Sequence, residues 1–317
     1  MEKSVAQTND PNVPRKSSFE TTNKTFFNNY VAKMLEHDVS MSFFSFSKNH
    51  KNLRVLSDLA KLTNSELQLY LKDSKEELMK FYYDFYALLG APYLSEYKFE
   101  LNLTPGWATL GVYGNMYRNK DTNSCCKVVH LDDRKRIACN MGMLTNYIIQ
   151  PQLCIQLVST YSEQRIRKTT ITTVIVPITN SLYHIYDSVN YPSASGLLYR
   201  MYLSSLRMEN SIIVRNKFTK SVGLLYTALK GFRKGAANFQ SEELMFFQGA
   251  LSFLKNQHCH PDTFCKALAD SVNSMTMDRL ICERNLLQCT SCDDLVTYFT
   301  PYLFRVSDMP PDCCTMG

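Results

Sequence analysis

The sequence predicts an α+β protein with helices towards both ends and a strand-rich centre. Between Tyr97 and Leu103 apolar and polar residues alternate strictly, which is typical of a half-buried strand. On either side of the central region, apolar residues recur three and four positions apart, the spacing of one helix face. With 45% hydrophobic residues in a chain of 317, there is ample apolar surface for a core, so wholesale disorder is excluded.

The N-terminal part is predicted to be a polar arm followed by helices. Residues 1–24 are rich in Asn, Thr, Ser and Lys with few large apolar residues, and we expect them to be disordered. Apolar spacing predicts helices over 26–35, 53–62 and 65–89. The last of these carries an aromatic run over 81–86, which we expect to be mostly core, with an exposed tyrosine as a candidate for base stacking.

The central part is predicted to contain about seven short strands separated by turn residues. Their ranges are 97–103, 109–113, 127–131, 137–144, 153–161, 169–177 and 182–186. So many short strands in about a hundred residues favour an antiparallel, barrel-like or sandwich-like module. A five-stranded nucleic-acid-binding barrel is one form that such a module takes.

After Pro192 the apolar spacing predicts helices again. Helices are expected over 196–206, 222–230, 241–255, 261–272, 278–288 and 293–302, with a short strand at 211–215. The chain then divides into a disordered arm (1–24), an N-terminal helical region (25–92), a strand-rich module (93–192), a basic segment with a helical C-terminal region (193–305) and a tail (306–317).

Several protein classes are excluded by composition. The longest apolar runs are far below the roughly 20 residues of a membrane span, and the N-terminus lacks the apolar core of a signal peptide. The 11 cysteines are odd in number and scattered, so we expect reduced, largely buried thiols rather than a disulfide scaffold. A soluble intracellular protein is therefore expected.

The formal net charge of +6 is concentrated in one segment. Residues 200–234 hold eight cations against the single acid Glu209, so this segment alone carries +7. Aromatic residues alternate with the cations, and phosphate neutralisation combined with base stacking holds single strands without sequence preference. The alternative is a plain core helix, because Leu225, Leu229 and Phe232 have the spacing of one helix face.

The candidate nucleic-acid-binding residues are these cations and aromatics, together with a smaller basic cluster in a turn between two predicted strands. They are Arg165, Arg167, Lys168, Arg207, Arg215, Lys217, Lys220, Lys230, Arg233 and Lys234 among the cations, and Phe218, Tyr226 and Phe232 among the aromatics. If the fold gathers them on one side, they line a cationic groove that contacts phosphates.

Familiar catalytic motifs are absent from the sequence. It has no Gly-x4-Gly-Lys-Ser/Thr phosphate loop, no Gly-x-Gly-x-x-Gly turn, no Gly-x-Ser-x-Gly elbow and no His-Glu-x-x-His pair, so we expect no enzyme and no cofactor. Cys289 and Cys292 have the Cys-x2-Cys spacing of a zinc half-site, which Cys259 and Cys265 could complete. The alternative is that these thiols are buried on helix faces, because their spacing matches no standard zinc finger.

Several features together resemble one protein family over nearly the full length. The polar arm, the Thr-Phe-Phe-Asn-Asn-Tyr run at 25–30, the strand-rich middle and the Lys-Gly-Phe-Arg-Lys-Gly stretch at 230–235 resemble the baculovirus DNA-binding protein family. These are viral single-stranded DNA-binding proteins of the infected-cell nucleus. The resemblance implies sequence-independent binding of single strands, duplex destabilisation and a role in viral DNA replication, and it assigns no binding residue.

The function expected from the sequence is therefore non-enzymatic. We expect a protein of the host-cell nucleus that coats single-stranded DNA and destabilises duplex during viral DNA replication. Its expected partner is single-stranded DNA, with self-association along the strand and no membrane contact. The alternatives are a viral structural or interaction protein whose basic face docks an acidic partner, and a nuclease with an unrecognised site.

Overall fold

A computed structural model gives the fold of most of the chain. The residues it describes are 27, 29–47, 53–70, 74–118, 125–132, 135–144, 150–163, 166–206, 209–235, 238–256 and 277–299. Within these ranges, helices and antiparallel strands alternate in blocks, so the predicted α+β class is confirmed.

The N-terminal block is a layer of helices around two parallel strands. Its elements are helix α1 (29–36), strand β1 (Phe43–Phe46), helix α2 (Arg54–Leu62), strand β2 (Leu67–Tyr70) and helix α3 (Lys75–Gly90). Phe43 and Leu67 pack on the α2 side of the strands, whereas Phe44 and Tyr70 contact α3 on the other. Covering both faces is what a parallel strand pair requires.

The central block is an open β-sandwich. Its strands are β3 (Tyr93–Leu103), β4 (Trp107–Tyr113), β5 (Tyr117–Arg118), β6 (Cys125–Asp132), β7 (Ala138–Met143), β8 (Gln152–Glu163) and β9 (Ile166–Pro177). One antiparallel sheet has the order β5-β6-β3-β8-β9, and β4 pairs with β7 in a second. Phe99 and Val128 of the first sheet and Val112 of the second form the core between them.

The C-terminal block is a helical bundle. Its helices are α4 (Leu182–Asp187), α5 (Tyr191–Ser205), α6 (Ser211–Phe232), α7 (Ser241–Lys255), α8 (Met277–Leu287) and α9 (Cys292–Phe299). Tyr199, Phe218, Phe253 and Leu295 form its centre. Helix α8 packs instead on the N-terminal layer, where Asn285 donates a hydrogen bond of 2.6 Å to Ser57.

Three local predictions are wrong. Residues 65–89 are not one helix, because the alternation through Leu67 and Leu69 forms β2 and a new helix starts where the Ser74 hydroxyl accepts the Glu77 N–H. Residues 182–186 form α4 instead of a strand. The strand predicted at 211–215 is instead the start of α6.

The helix predicted over 222–230 is the second half of α6, which starts 11 residues earlier, at Ser211. The remaining predicted elements have their counterparts within a few residues, except for the arm at 1–24, the helix at 261–272 and the tail at 306–317, which lie outside the described residues. The described strands form no closed barrel, because the sheets keep free edges. No helix in the described ranges combines the length and the apolar character needed to cross a bilayer.

Candidate protein-docking surface

The first cation of the basic segment is a structural residue. Arg200 on α5 is 1% exposed. Its guanidinium donates hydrogen bonds to the carbonyl oxygens of Gln288, at 3.2 Å, and Thr290, and to Cys292 Sγ at 3.1 Å. These acceptors follow the end of α8, where the helix dipole favours a positive charge. Arg200 therefore holds the α8–α9 connection against α5.

A second cation of the segment belongs to a buried ion pair. Glu243 on α7 is fully buried, and its Oε1 accepts hydrogen bonds from Arg233 Nη2 at 2.9 Å and from the Tyr191 hydroxyl at 3.0 Å. Its Oε2 accepts the Gln240 N–H at 2.9 Å and so caps α7. Burial alone would raise the pKa of Glu243, but these hydrogen bonds outweigh burial and hold that pKa below its usual range.

This carboxylate makes stability depend on pH. Because the folded state lowers the pKa of Glu243 below its ordinary value of 4.5, the unfolded chain binds the proton more readily. The stabilisation is complete above that value and is lost as pH falls through the lower pKa of the folded state. We expect Glu243→Gln to flatten the dependence of unfolding free energy on pH below about 4.5, measured by urea titration. Glu242→Gln, exposed on the same turn, should keep the wild-type slope, and equal slopes in all three proteins would contradict the assignment.

The candidate stacking aromatics pack against other rings. Phe218 is fully buried, with its ring centroid 4.6 Å from that of Tyr202 and 4.8 Å from that of Phe253. The ring centroid of Phe232 lies 5.1 Å from that of Tyr186. Tyr226 makes edge contacts with Phe239 and Phe247, at 5.6 and 5.2 Å. Phe218 is therefore a core residue, whereas Phe232 is half-buried and Tyr226 is 38% exposed.

The remaining candidate cations that the structure describes lie on two separate elements, β9 and α6 with the turn that follows it. Lys217 pairs with Glu209 at 2.6 Å, and Lys168 pairs with Glu163. Four of the others are exposed, namely Arg167, Lys220, Lys230 and Lys234, and Arg215 is half-buried. Arg165 and Arg207 lie outside the described residues.

The cysteines of the candidate zinc site have other contacts where they are described. Cys289 is buried, donates to the Leu286 carbonyl at 3.0 Å, and has its pKa raised to about 12 by burial, so the metal-binding thiolate is disfavoured. Cys292 accepts the hydrogen bond from Arg200. Cys259 and Cys265 lie outside the described residues, and the described part of the chain holds no group of three or more ligand side chains placed for a metal. The sequence predicts no metal, and a zinc site at these four cysteines stays the alternative hypothesis.

The most prominent exposed surface lies on α3. One side of this helix packs on the two parallel strands, where the Phe81 ring lies 5.4 Å from Phe44 and 5.0 Å from Phe46. On the same side Asp84 accepts a hydrogen bond of 2.7 Å from the Tyr70 hydroxyl. Desolvation and this carboxylate both raise the pKa of Tyr70. These contacts fix how α3 is rotated about its own axis.

That rotation turns a stripe of large apolar residues towards solvent. The α3 outer face consists of Met79, Tyr82, Tyr83, Tyr86 and Leu89, which are 47–74% exposed. Their spacing of three and four residues makes them one continuous strip. Exposed apolar patches of this kind mark interaction sites, and tyrosine is among the residues enriched where binding energy concentrates.

The α3 outer face is larger than expected from the sequence, which predicted the aromatic run to be mostly core with an exposed tyrosine as a candidate for base stacking. The signal was nevertheless present. Residues 81–86 are aromatic on nearly every side of the helix, and a helix on a two-stranded layer can bury only one of those sides.

The fold is shared with a coat protein of known structure. The chain superimposes on the human COPII-coat protein Sec24c with a TM-score of 0.72 at 13% sequence identity. The match covers 90% of this chain and 38% of that protein. It therefore includes the N-terminal layer, the sandwich and the bundle rather than one motif.

A similar sequence also belongs to a protein named sec24. The chain is 22% identical over 313 residues to the protein transport protein sec24 of Aspergillus niger, a match covering 93% of this chain and 32% of the relative. No family model matches the chain. The chain thus spans about a third of the length of these two proteins.

These similarities overturn the function predicted from the charge pattern. Single-stranded DNA binding in viral replication is wrong, and so is single-stranded DNA as the partner, because the sequence and structural matches are to protein-transport and coat proteins. Part of the positive charge that motivated the prediction has partners within the fold: Arg200 donates to the Gln288 carbonyl, and Arg233 pairs with Glu243. The resemblance to the baculovirus family and the nuclear location stay predictions from sequence alone.

Proposed function

We propose that this chain is a protein-binding component of a protein-transport coat related to the COPII coat. The observation that carries the proposal is the extent of the likeness, which covers 90% of the chain in structure and 93% in sequence. The proposed role is one of binding and scaffolding, with no catalytic step. Because the chain spans only about a third of the length of both similar proteins, the proposal concerns the part of a coat protein that this chain represents.

We assign the binding of a coat partner to the α3 outer face. Three exposed tyrosines on a helix held rigidly by Phe81 and Asp84 offer large contact area at a low cost in conformational entropy. Within α3 the charged side chains are at the helix start, over 75–77, and at Lys80 and Asp84 on the flanks of the strip, so its centre can be desolvated.

Site-specific photocrosslinking tests the proposal. The full chain, carrying a photoreactive phenylalanine at position 83 or 86, is expressed in cells that contain a COPII coat, and crosslinked proteins are identified by mass spectrometry. We expect identified coat proteins from both positions and none from position 224, an exposed apolar site on α6. A double Tyr82→Glu and Tyr86→Glu variant should reduce crosslinking from position 83 by at least about tenfold, the effect of losing a binding hot spot.

The double variant also separates binding from folding. Both tyrosines are about half exposed or more, so we expect circular dichroism and the urea midpoint to stay close to wild type. Crosslinks to coat proteins that persist in a folded variant would exclude the α3 outer face as the docking site. An absence of coat proteins from every position tested would contradict the coat role itself.

A further inference from the structure

The two edges of the larger β-sheet differ greatly. One edge is β5, which has two residues. The other edge is β9, which has 12 residues, pairs with β8 along its whole length without a register shift, and has no second neighbour in the described sheet. Native proteins usually shorten, bend, charge or cover such an edge, because its open N–H and C=O groups are a template for another strand.

Most of β9 lacks these protective devices. Its two cations, Arg167 and Lys168, lie at one end and Pro177 at the other, and the eight residues over 169–176 are only Thr, Ile and Val. Every residue of the strand is exposed, and Ile171 and Ile175 are each 61% exposed. A strand of this composition is long, regular and uncharged along its unprotected stretch.

The second sheet does not extend over β9. Val174 of β9 pairs with Ile155 of β8, and Val176 pairs with Leu153. These residues lie on the face of the larger sheet that covers the sandwich core. The two-stranded β4–β7 sheet nevertheless leaves Val174 and Val176 at 50% and 40% exposure. A strand added beside β9 would place its own alternate side chains over these valines.

We propose that β9 accepts an extended segment of a partner protein as a sixth, antiparallel strand. The sheet is antiparallel throughout, which favours that direction. Lys168 is already paired with Glu163, whereas Arg167 is exposed with no ion pair among the described residues. The segment therefore has β-branched residues along its length and an acidic residue near its C-terminal end, opposite Arg167.

A second copy of the chain fits this edge less well. Pairing two β9 strands over their full length sets Arg167 opposite Val176 and Lys168 opposite Ile175, so each cation meets an apolar side chain. A segment with an acid opposite Arg167 avoids this mismatch. The proposal rests on this sheet alone and does not depend on the coat role.

Backbone-methylated peptides test the proposal directly. The probe is a fluorescein-labelled 12-residue peptide of alternating Thr and Val with Glu at position 11, titrated with the full chain by fluorescence anisotropy. In an added strand, the N–H groups of alternate residues point towards β9 and the rest point away. We expect N-methylation of one alternating set to weaken binding by at least about tenfold, and N-methylation of the other set to leave the affinity within about threefold.

A charge exchange tests the register. Changing the Glu of the probe to Lys should weaken binding by about threefold to fivefold, and the chain variant Arg167→Glu should restore the affinity of the Lys peptide. Absence of binding, or equal weakening by both methylated sets, would overturn the proposal. Light scattering of the free chain gives a further check. A dimer that the Ile175→Lys variant dissociates would also overturn the proposal, because the occupant of the β9 edge would then be a second copy of the chain.

Discussion

Replacing Phe218 by Ala is expected to lower the free energy of unfolding by about 3–5 kcal/mol, the range for emptying a buried aromatic site. Phe218 is fully buried between α5, α6 and α7, where its ring contacts Tyr199, Tyr202 and Phe253. Close packing prevents these rings from filling the space left by the truncation. Urea denaturation followed by circular dichroism measures the change.

The matched control for Phe218→Ala is Leu224→Ala on the same helix. Leu224 is 64% exposed, and we expect its truncation to change stability by less than about 0.5 kcal/mol. Both variants truncate a large apolar side chain of the same helix to Ala, so the comparison mainly reports the difference in burial. If the two variants were equally stable, Phe218 would not be at the centre of the bundle.

Replacing Arg200 by Ala is the second change with a large expected effect, a loss of about 3 kcal/mol. The substitution leaves the carbonyl oxygens of Gln288 and Thr290 without their donor, and each buried unsatisfied group costs about 1–3 kcal/mol. It also removes the α8 C-terminal counter-charge and the packing of the arginine stem. Thermal and urea denaturation should both report the loss.

Two further variants define the role of Arg200. Arg200→Lys keeps the charge but cannot reproduce a planar fork that reaches three acceptors, so we expect it to recover only part of the loss. Lys220→Ala removes an exposed cation of the same basic segment and should stay within about 0.5 kcal/mol of wild type. An Arg200→Ala variant as stable as Lys220→Ala would contradict the structural role.

The sequence predicted the helices and strands well where one periodicity persists. The strict alternation around Phe99 marks β3, and the acidic first turn through Glu243 marks α7. Prediction failed where local preference and tertiary packing disagree. Residues 212–214 are β-branched, which favours a strand. However, Asn210 accepts the Ile212 N–H, and Val214 faces the bundle core together with Phe218, so the segment is helical.

The candidate site was predicted poorly because charge counting does not indicate burial. Arg200 and Arg233 contribute to the segment charge, yet their partners lie far along the chain or in another helix. Periodicity likewise cannot say which side of an all-round aromatic helix is covered. The contacts of Phe81 with β1 and β2 decide that for α3, and those contacts are tertiary.

Helix α8 has a consequence for how the chain is made. Lys61 on α2 donates to Gln288, and Asn285 donates to Ser57, across separations of 227 and 228 residues. At roughly 5–20 residues per second, a ribosome needs about 10–45 s to synthesise the intervening chain. During that interval Leu53, Ala60 and Leu67 lack the Cys282 side of their core. The N-terminal layer is therefore completed only after α8 has been synthesised, and until then its uncovered apolar side chains are a binding surface for chaperones.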